Sequence, residues 1–420
     1  MHTTAVPTRH AHPPRATPPA PPRAPAHGER PTARLEPIDL VRGLVIALMV
    51  LDHVREYWSD TALLFQPTDL TRTTPALFAT RWITHLCAPT FVFLAGASVF
   101  LQWSRAADRR AVARFQLTRG AWLALLDLTV VSFALNFAAP FPIFEVVWAI
   151  GMGLVLLTPL LRVRPAVVAL LGAMLLVGAH VAAPVAFGLA ARAEPATAFL
   201  LRLLFVPGPA TPLPGIVAYP VLPWFGVMCL GFGAGPLFLR APASRRRALL
   251  VAGGSALALF VVARALGVGD APWRPQASAV LTTLAFVNVT KYPPSPLFVA
   301  VALGVTLPLC ALLDGRGAAP TRSGWRDPLL AFGRTPMFTF VVHLYLIHLA
   351  ALLVGVALGV PAAAFTHFVE DSSPLRAVRW GFGLPVVYAV WAATCVALYP
   401  LSRRYAAARA QRPRWWMRYL

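Results

Sequence analysis

Runs of about twenty apolar residues recur from one end of this chain to the other, and that length is what a helix needs to cross a bilayer. Ten candidate helices follow, at about 38–58, 81–103, 119–138, 142–161, 165–187, 215–239, 246–267, 295–313, 328–358 and 381–401. The reading is an all-α, polytopic membrane helix bundle with about ten transmembrane helices. Only 13% of the residues are charged, against roughly 25% in an ordinary soluble chain, which excludes a soluble enzyme. Cys87, Cys229, Cys310 and Cys395 are far apart within apolar segments, so neither a disulfide framework nor a CxxC-type metal site is indicated. The net charge of +21 comes from arginines in short tracts between spans. They form no basic domain, so no nucleic-acid partner is expected.

Those arginines predict the orientation. With the N-terminus in the cytoplasm, the inside segments carry 25 basic residues and the outside loops seven, an asymmetry that alternates at every loop as the positive-inside rule requires. Both termini are therefore expected in the cytoplasm, in the cell's inner (cytoplasmic) membrane. Residues 1–33 are rich in Pro, Ala and Arg and lack the apolar core of a secretory signal, so a disordered tail that stays on the chain is expected. Residues 34–405 form the membrane domain and 406–420 a basic, aromatic tail. Four connections on the outer face, 59–80, 188–214, 268–294 and 359–380, are long, and long loops on one face tend to carry function. Segment 198–206 is too short to span and suits the outer interface.

Ionisable residues inside a membrane are functional candidates, because each costs about 2.5–3.5 kcal/mol to insert. The first helix is the richest. Asp39 and Arg42 stand one turn apart and can pair; an ion pair that fixes the helix and a contact to a phosphate are both open. Arg42, Ile46, Met49 and His53 form one stripe, which sets His53 ~20 Å above Asp39. Asp52, His53, His85, Glu145 and His348 can converge in one outer layer if helices 1, 2, 4 and 9 adjoin. Two histidines with carboxylates in a desolvated site have the ingredients of acid–base chemistry. No helical HxxxH spacing supports a metal, and none is predicted. Arg334, beside Gly333 and Pro336, stands at the inner boundary, where a positive group can meet an anionic cofactor.

Several segments resemble a known family. Arg34-Leu35-Glu36-Pro37-Ile38-Asp39-Leu40-Val41-Arg42-Gly43, running to Asp52-His53, looks like the first helix of the heparan-alpha-glucosaminide N-acetyltransferase catalytic-domain family, and in particular its bacterial DUF1624 branch. The second helix fits in Arg81-Trp82-Ile83-Thr84-His85 and in Ala88-Pro89-Thr90-Phe91. So do Tyr219-Pro220-Val221-Leu222-Pro223-Trp224, Lys291-Tyr292-Pro293-Pro294, Gly333-Arg334-Thr335-Pro336 with His343 to His348, and the terminal Trp415-Trp416-Met417-Arg418-Tyr419-Leu420.

The resemblance implies a multi-pass acyltransferase that takes an acetyl group from cytosolic acetyl-CoA to an amine or hydroxyl of a sugar or lipid-linked glycan across the membrane. Arg42 and Arg334 would then meet the donor. His53, Asp52 and His85 would carry the chemistry, and Glu145, Lys291, Tyr292 and His348 would bind the acceptor. Membrane lipid is the surrounding partner, and a homodimer is left open. One departure matters: animal members carry their catalytic histidine between helices 1 and 2, whereas segment 59–80 here holds none and His53 stands where an asparagine ends their first helix. A proton-coupled transporter or flippase, and a non-catalytic scaffold, are the competing readings.

Overall fold

The computed structural model describes residues 2, 35–138, 141–314, 324–412 and 414–419. The chain divides after Leu35. Of the first unit only His2 and Leu35 are described, so the tail expected over 1–33 lies outside the described residues apart from His2. The rest concerns the helical unit from Glu36 onward.

Its helices are α1 (Glu36–Trp58), α2 (Pro75–Thr84), α3 (Cys87–Arg105), α4 (Arg109–Leu126), α5 (Ser132–Asn136), α6 (Val146–Leu157), α7 (Pro165–Ala190), α8 (Pro195–Leu204), α9 (Val221–Phe238), α10 (Pro242–Ala265), α11 (Ala279–Val287), α12 (Pro296–Leu313), α13 (Arg326–Arg334), α14 (Pro336–Ala357), α15 (Ser373–Ala377) and α16 (Leu384–Gln411). Prolines 75, 165, 242, 296 and 336 open α2, α7, α10, α12 and α14. Proline suits the first turn, where its missing N–H would have had no partner.

Among the described residues eight segments are long and apolar enough to cross a membrane: Pro75–Arg105, Arg109–Asn136, α7, α9, α10, α12, α14 and α16. The chain is thus a multi-pass, all-α membrane protein. Two further expected spans differ in kind. α1 is 23 residues long but studded with charge. The helix expected over 142–161 is shorter, because Ile143–Phe144 form a strand and α6 starts only at Val146. The helix expected over 328–358 is two helices, since Thr335 ends α13 and Pro336 starts α14. A similar break at His85–Leu86 separates α2 from α3. Segment 195–204 is the short helix α8.

Close packing is built on small residues, as in other membrane bundles where helices attract by contact and not by water exclusion. Gly43 of α1 lies against the backbone of Leu329 in α13, and Gly333 of α13 against the carbonyl of Asp39. Gly120 and Gly151 meet between α4 and α6, and Gly172 and Gly226 between α7 and α9. α1 is enclosed by α2, α3, α12, α13, α14 and α16. The periphery is apolar: only 11% of the apolar window of α16 is buried, against 67% for those of α9 and α12. α7, α10 and α16 are the faces left for lipid. Three two-residue strands, β1 (Ile143–Phe144), β2 (Gly208–Pro209) and β3 (Ile216–Val217), tie the loops at one end. β3 pairs parallel to β1 and antiparallel to β2.

Candidate functional site

The last turn of α1 carries two charged pairs, each at the three-residue spacing that puts side chains on one helix face. In the first, the buried Asp52 accepts from Arg81 at 2.6 Å on both carboxylate oxygens, and from Arg55 at 3.1 Å. Arg81 comes from α2, so this pair locks α2 onto α1. A buried carboxylate is tolerable only when it is paired in this way.

In the second, His53 Nδ1 lies 3.1 Å from a carboxylate oxygen of Glu56. A carboxylate on one ring nitrogen fixes the ring's orientation and leaves Nε2 for a reacting group. The other side of the His53 ring meets His343 of α14, with centroids 5.1 Å apart. His343 is fully buried; its Nδ1 contacts the Thr339 carbonyl at 3.1 Å, and its Nε2 has no partner among the described residues.

Beside these pairs lies a cavity of about 300 Å³. Asp52, His53, Glu56 and Tyr57 of α1 line it, with Glu145, Tyr219, Lys291 and Tyr292 opposite. Glu145 reaches the wall because it caps α6. Its backbone N–H donates at 2.8 Å to Asp127, which opens a π-helical turn at Asp127–Val131. Such turns recur at functional positions in helices. The strand pair β1–β3 brings Ile143 and Ile216 to the same wall.

A second cavity, of about 150 Å³, adjoins the first, and Met49, Phe91, Val146 and Phe340 line both. At its far end stand Arg42 and Arg119. Arg42 donates to the Leu94 carbonyl at 3.1 Å and to the Ser98 hydroxyl, and lies 3.6 Å from Asp39. The Arg119 Nε is buried without a hydrogen-bond partner among the described residues. Two guanidiniums, one holding an unused buried donor, suit an anionic group.

Not every residue picked out in the sequence reaches this path. α1 packs against α2, α3 and α14, and α6 meets α3, which gathers Asp52, His53 and Glu145. His85, at the joint between α2 and α3, faces a third cavity. His348 is buried behind Tyr57, stacked on Phe137 at 3.7 Å, with Ala134 and Phe365 carbonyls at 2.9 and 2.8 Å from its ring nitrogens. Arg334 is exposed and lines neither cavity; its carbonyl accepts from Arg409 at 2.6 Å. Glu56 and Arg119 are the residues sequence reasoning left out. Glu56 was findable as the residue one turn past His53. Arg119 depends on the Gly120–Gly151 contact of α4 with α6, which no local pattern announces. Among the described residues no three of His, Cys, Asp and Glu gather as a metal site.

Residues 34–267 match the family model for the catalytic domain of heparan-alpha-glucosaminide N-acetyltransferase. No curated protein matches the chain. The match covers more than half of the sequence, and the chain belongs to that family. It spans α1 to α10 and thus Arg42, Asp52, His53, Arg119 and Glu145; Lys291, Tyr292, His343 and His348 lie beyond it.

Proposed function

We propose that this member of a membrane acetyltransferase family moves an acetyl group from acetyl-CoA, held at the Arg42 end of the bundle, to an amine or hydroxyl of a sugar or glycan held at the His53 end. The observation that carries the reading is the pair of adjoining cavities, with guanidiniums at one end and an imidazole–carboxylate pair at the other. Arg42 and Arg119 would bind the donor's phosphates. The rise from Arg42 to His53 is ~16 Å along α1, and the extended arm of a thioester donor would run beside it past Met49 and Phe340.

In the reaction the acceptor's nitrogen or oxygen forms a bond to the acetyl carbonyl carbon. The carbon–sulfur bond breaks and the thiolate leaves on the donor side, to be protonated by the proton that the acceptor gives up. The acceptor's proton passes to His53 Nε2, and Glu56 steadies the imidazolium that results. Tyr57 does not supply the hydrogen bond that would steady the oxyanion, because its hydroxyl donates to the Leu135 carbonyl at 2.5 Å. Asp52 is committed to Arg81 and Arg55 and serves as their anchor.

The test uses the purified protein in detergent with radiolabelled acetyl-CoA and glucosamine. Wild type should transfer label to the sugar, and His53→Ala should lose about 10²- to 10⁴-fold in rate, the usual contribution of a general base. Arg42→Ala should raise KM for acetyl-CoA while leaving kcat within a few fold. Full transfer in the His53 variant would remove it from the chemistry. No transfer in any protein, with proton-driven uptake of the sugar into vesicles, would favour the transporter.

A further inference from the structure

α16 is 28 residues long. At a rise of ~1.5 Å per residue it runs ~42 Å, beyond the ~30 Å of a bilayer's hydrocarbon core. Its last turns carry Arg403, Arg404 and Arg409. The helix then breaks, and a short 3₁₀ turn follows at Trp415–Arg418. The rings of this segment turn back onto the bundle. Tyr419 stacks on Phe115 of α4 with centroids 5.8 Å apart and lies 6.4 Å from Trp122, and Trp415 meets Trp122 edge to face at 6.3 Å. On the other side Trp416 lies 6.4 Å from Tyr405 of α16, which stacks on Phe338 of α14 at 4.2 Å. Met417 is buried.

α4 packs chiefly against α6, and α16 against α1, α13 and α14; the C-terminal rings bridge these two sides. Phe115, Arg119 and Trp122 stand at i, i+4 and i+7 and therefore share one face of α4. Arg119 lines the cavity that Arg42, Pro336 and Met337 also line. Arg42 and Arg409 are close enough to act on Arg119 by charge, and like charges at close quarters repel. Neither Arg119 Nε nor Trp122 Nε1 has a hydrogen-bond partner among the described residues. Ring contacts are what this face of α4 has to hold it.

We infer that the C-terminal segment is a clamp. Tyr419 and Trp415 grip α4 at the two residues flanking Arg119 and hold that guanidinium at the donor cavity against the repulsion of Arg42 and Arg409. They are positioning residues, which act on the donor through Arg119. Trp415 keeps 67% of its surface exposed, so Tyr419 carries the larger share. The clamp follows from the ring contacts alone, but its purpose, holding Arg119 for a donor rich in phosphate, rests on the acetyl-transfer reading.

The test has two readouts on the full chain in detergent, neither of them turnover. Without ligand, Tyr419→Ala should speed amide hydrogen exchange over residues 115–122 by about tenfold, as local opening becomes easier, while Tyr419→Phe should match wild type. Coenzyme A titrated by calorimetry should bind Tyr419→Ala about fivefold more weakly than wild type, for want of a placed charge-assisted donor, and Tyr419→Phe should again restore it. Arg119→Ala should lose at least as much. Adding Tyr419→Ala to Arg119→Ala should then cost about twofold or less, because the ring works through the guanidinium. Tyr419→Leu keeps apolar bulk and replaces Tyr419→Ala if that variant fails to fold. Unchanged exchange in a folded variant, additive losses in the double variant, or an Arg119→Ala protein that binds like wild type overturns the clamp, and binding by wild type would still leave a donor site standing. A wild-type protein that binds no coenzyme A overturns the donor reading and this inference with it.

Discussion

His53 and Asp52 are neighbours in sequence, but their surroundings give them different work. Asp52 points into the helix junction and ties two arginines, with side chains 5% and 8% exposed. Removing it as Asp52→Ala would strand both cations, at a cost of about 3–5 kcal/mol for a broken buried pair; a fall in Tm in detergent checks this. Glu56→Gln should behave in the opposite way. It keeps the fold, since Glu56 is partly exposed beside the cavity, but leaves the His53 ring unsteadied. We expect its kcat for acetyl transfer to drop by roughly 10²-fold, at the low end of general-base contributions, with Tm unchanged. The charged residues of α1 were visible in the sequence, as was the spacing that pairs them. Their separation into an anchor and the proposed base was not, because it depends on Arg81 arriving from another helix.

The helices themselves were mostly legible, since apolar length sets where the chain can cross a bilayer. What the pattern missed are interruptions caused by packing and backbone chemistry. Thr335-Pro336 splits one expected helix, and β1 shortens another because Ile143 pairs with Ile216, more than seventy residues away. Glycine contacts are equally silent in a hydropathy profile. They yield a sharp contrast: Gly43→Ala would drive its methyl into the backbone of Leu329, which has no flexible end to yield, whereas Gly178→Ala meets nothing within 4 Å. Size-exclusion profiles after heating should show Gly43→Ala losing its monodisperse peak at a lower temperature than wild type. Gly178→Ala should match or exceed wild type, as Ala is the better helix former by about 0.5–1 kcal/mol.

For the whole molecule, the arginine distribution sets the expectation that the Arg42 end faces the cytoplasm, the side where acetyl-CoA is made. The helix ends alternate accordingly: Arg42, Arg119 and Pro336 line one cavity and Tyr57, Glu145 and Tyr292 the other. Cysteines at Thr68 and Gln276, in a background without the native four, should react with a membrane-impermeant thiol reagent on intact cells. Cysteines at Ala107 and Ala243 should react only after the membrane is opened. The reverse pattern would put the donor cavity on the wrong side and defeat the proposed direction of transfer.

The four residues that line both cavities are Met49, Phe91, Val146 and Phe340, and their side chains offer water no hydrogen-bond donor and no acceptor beyond the weak Met49 sulfur. A collar of this kind excludes hydrated ions by dewetting. A protein that hands a neutral acyl group through the bilayer need not open a conductive pore to do so. Under the proposed transfer, the cell would hold its membrane potential while acetyl groups pass.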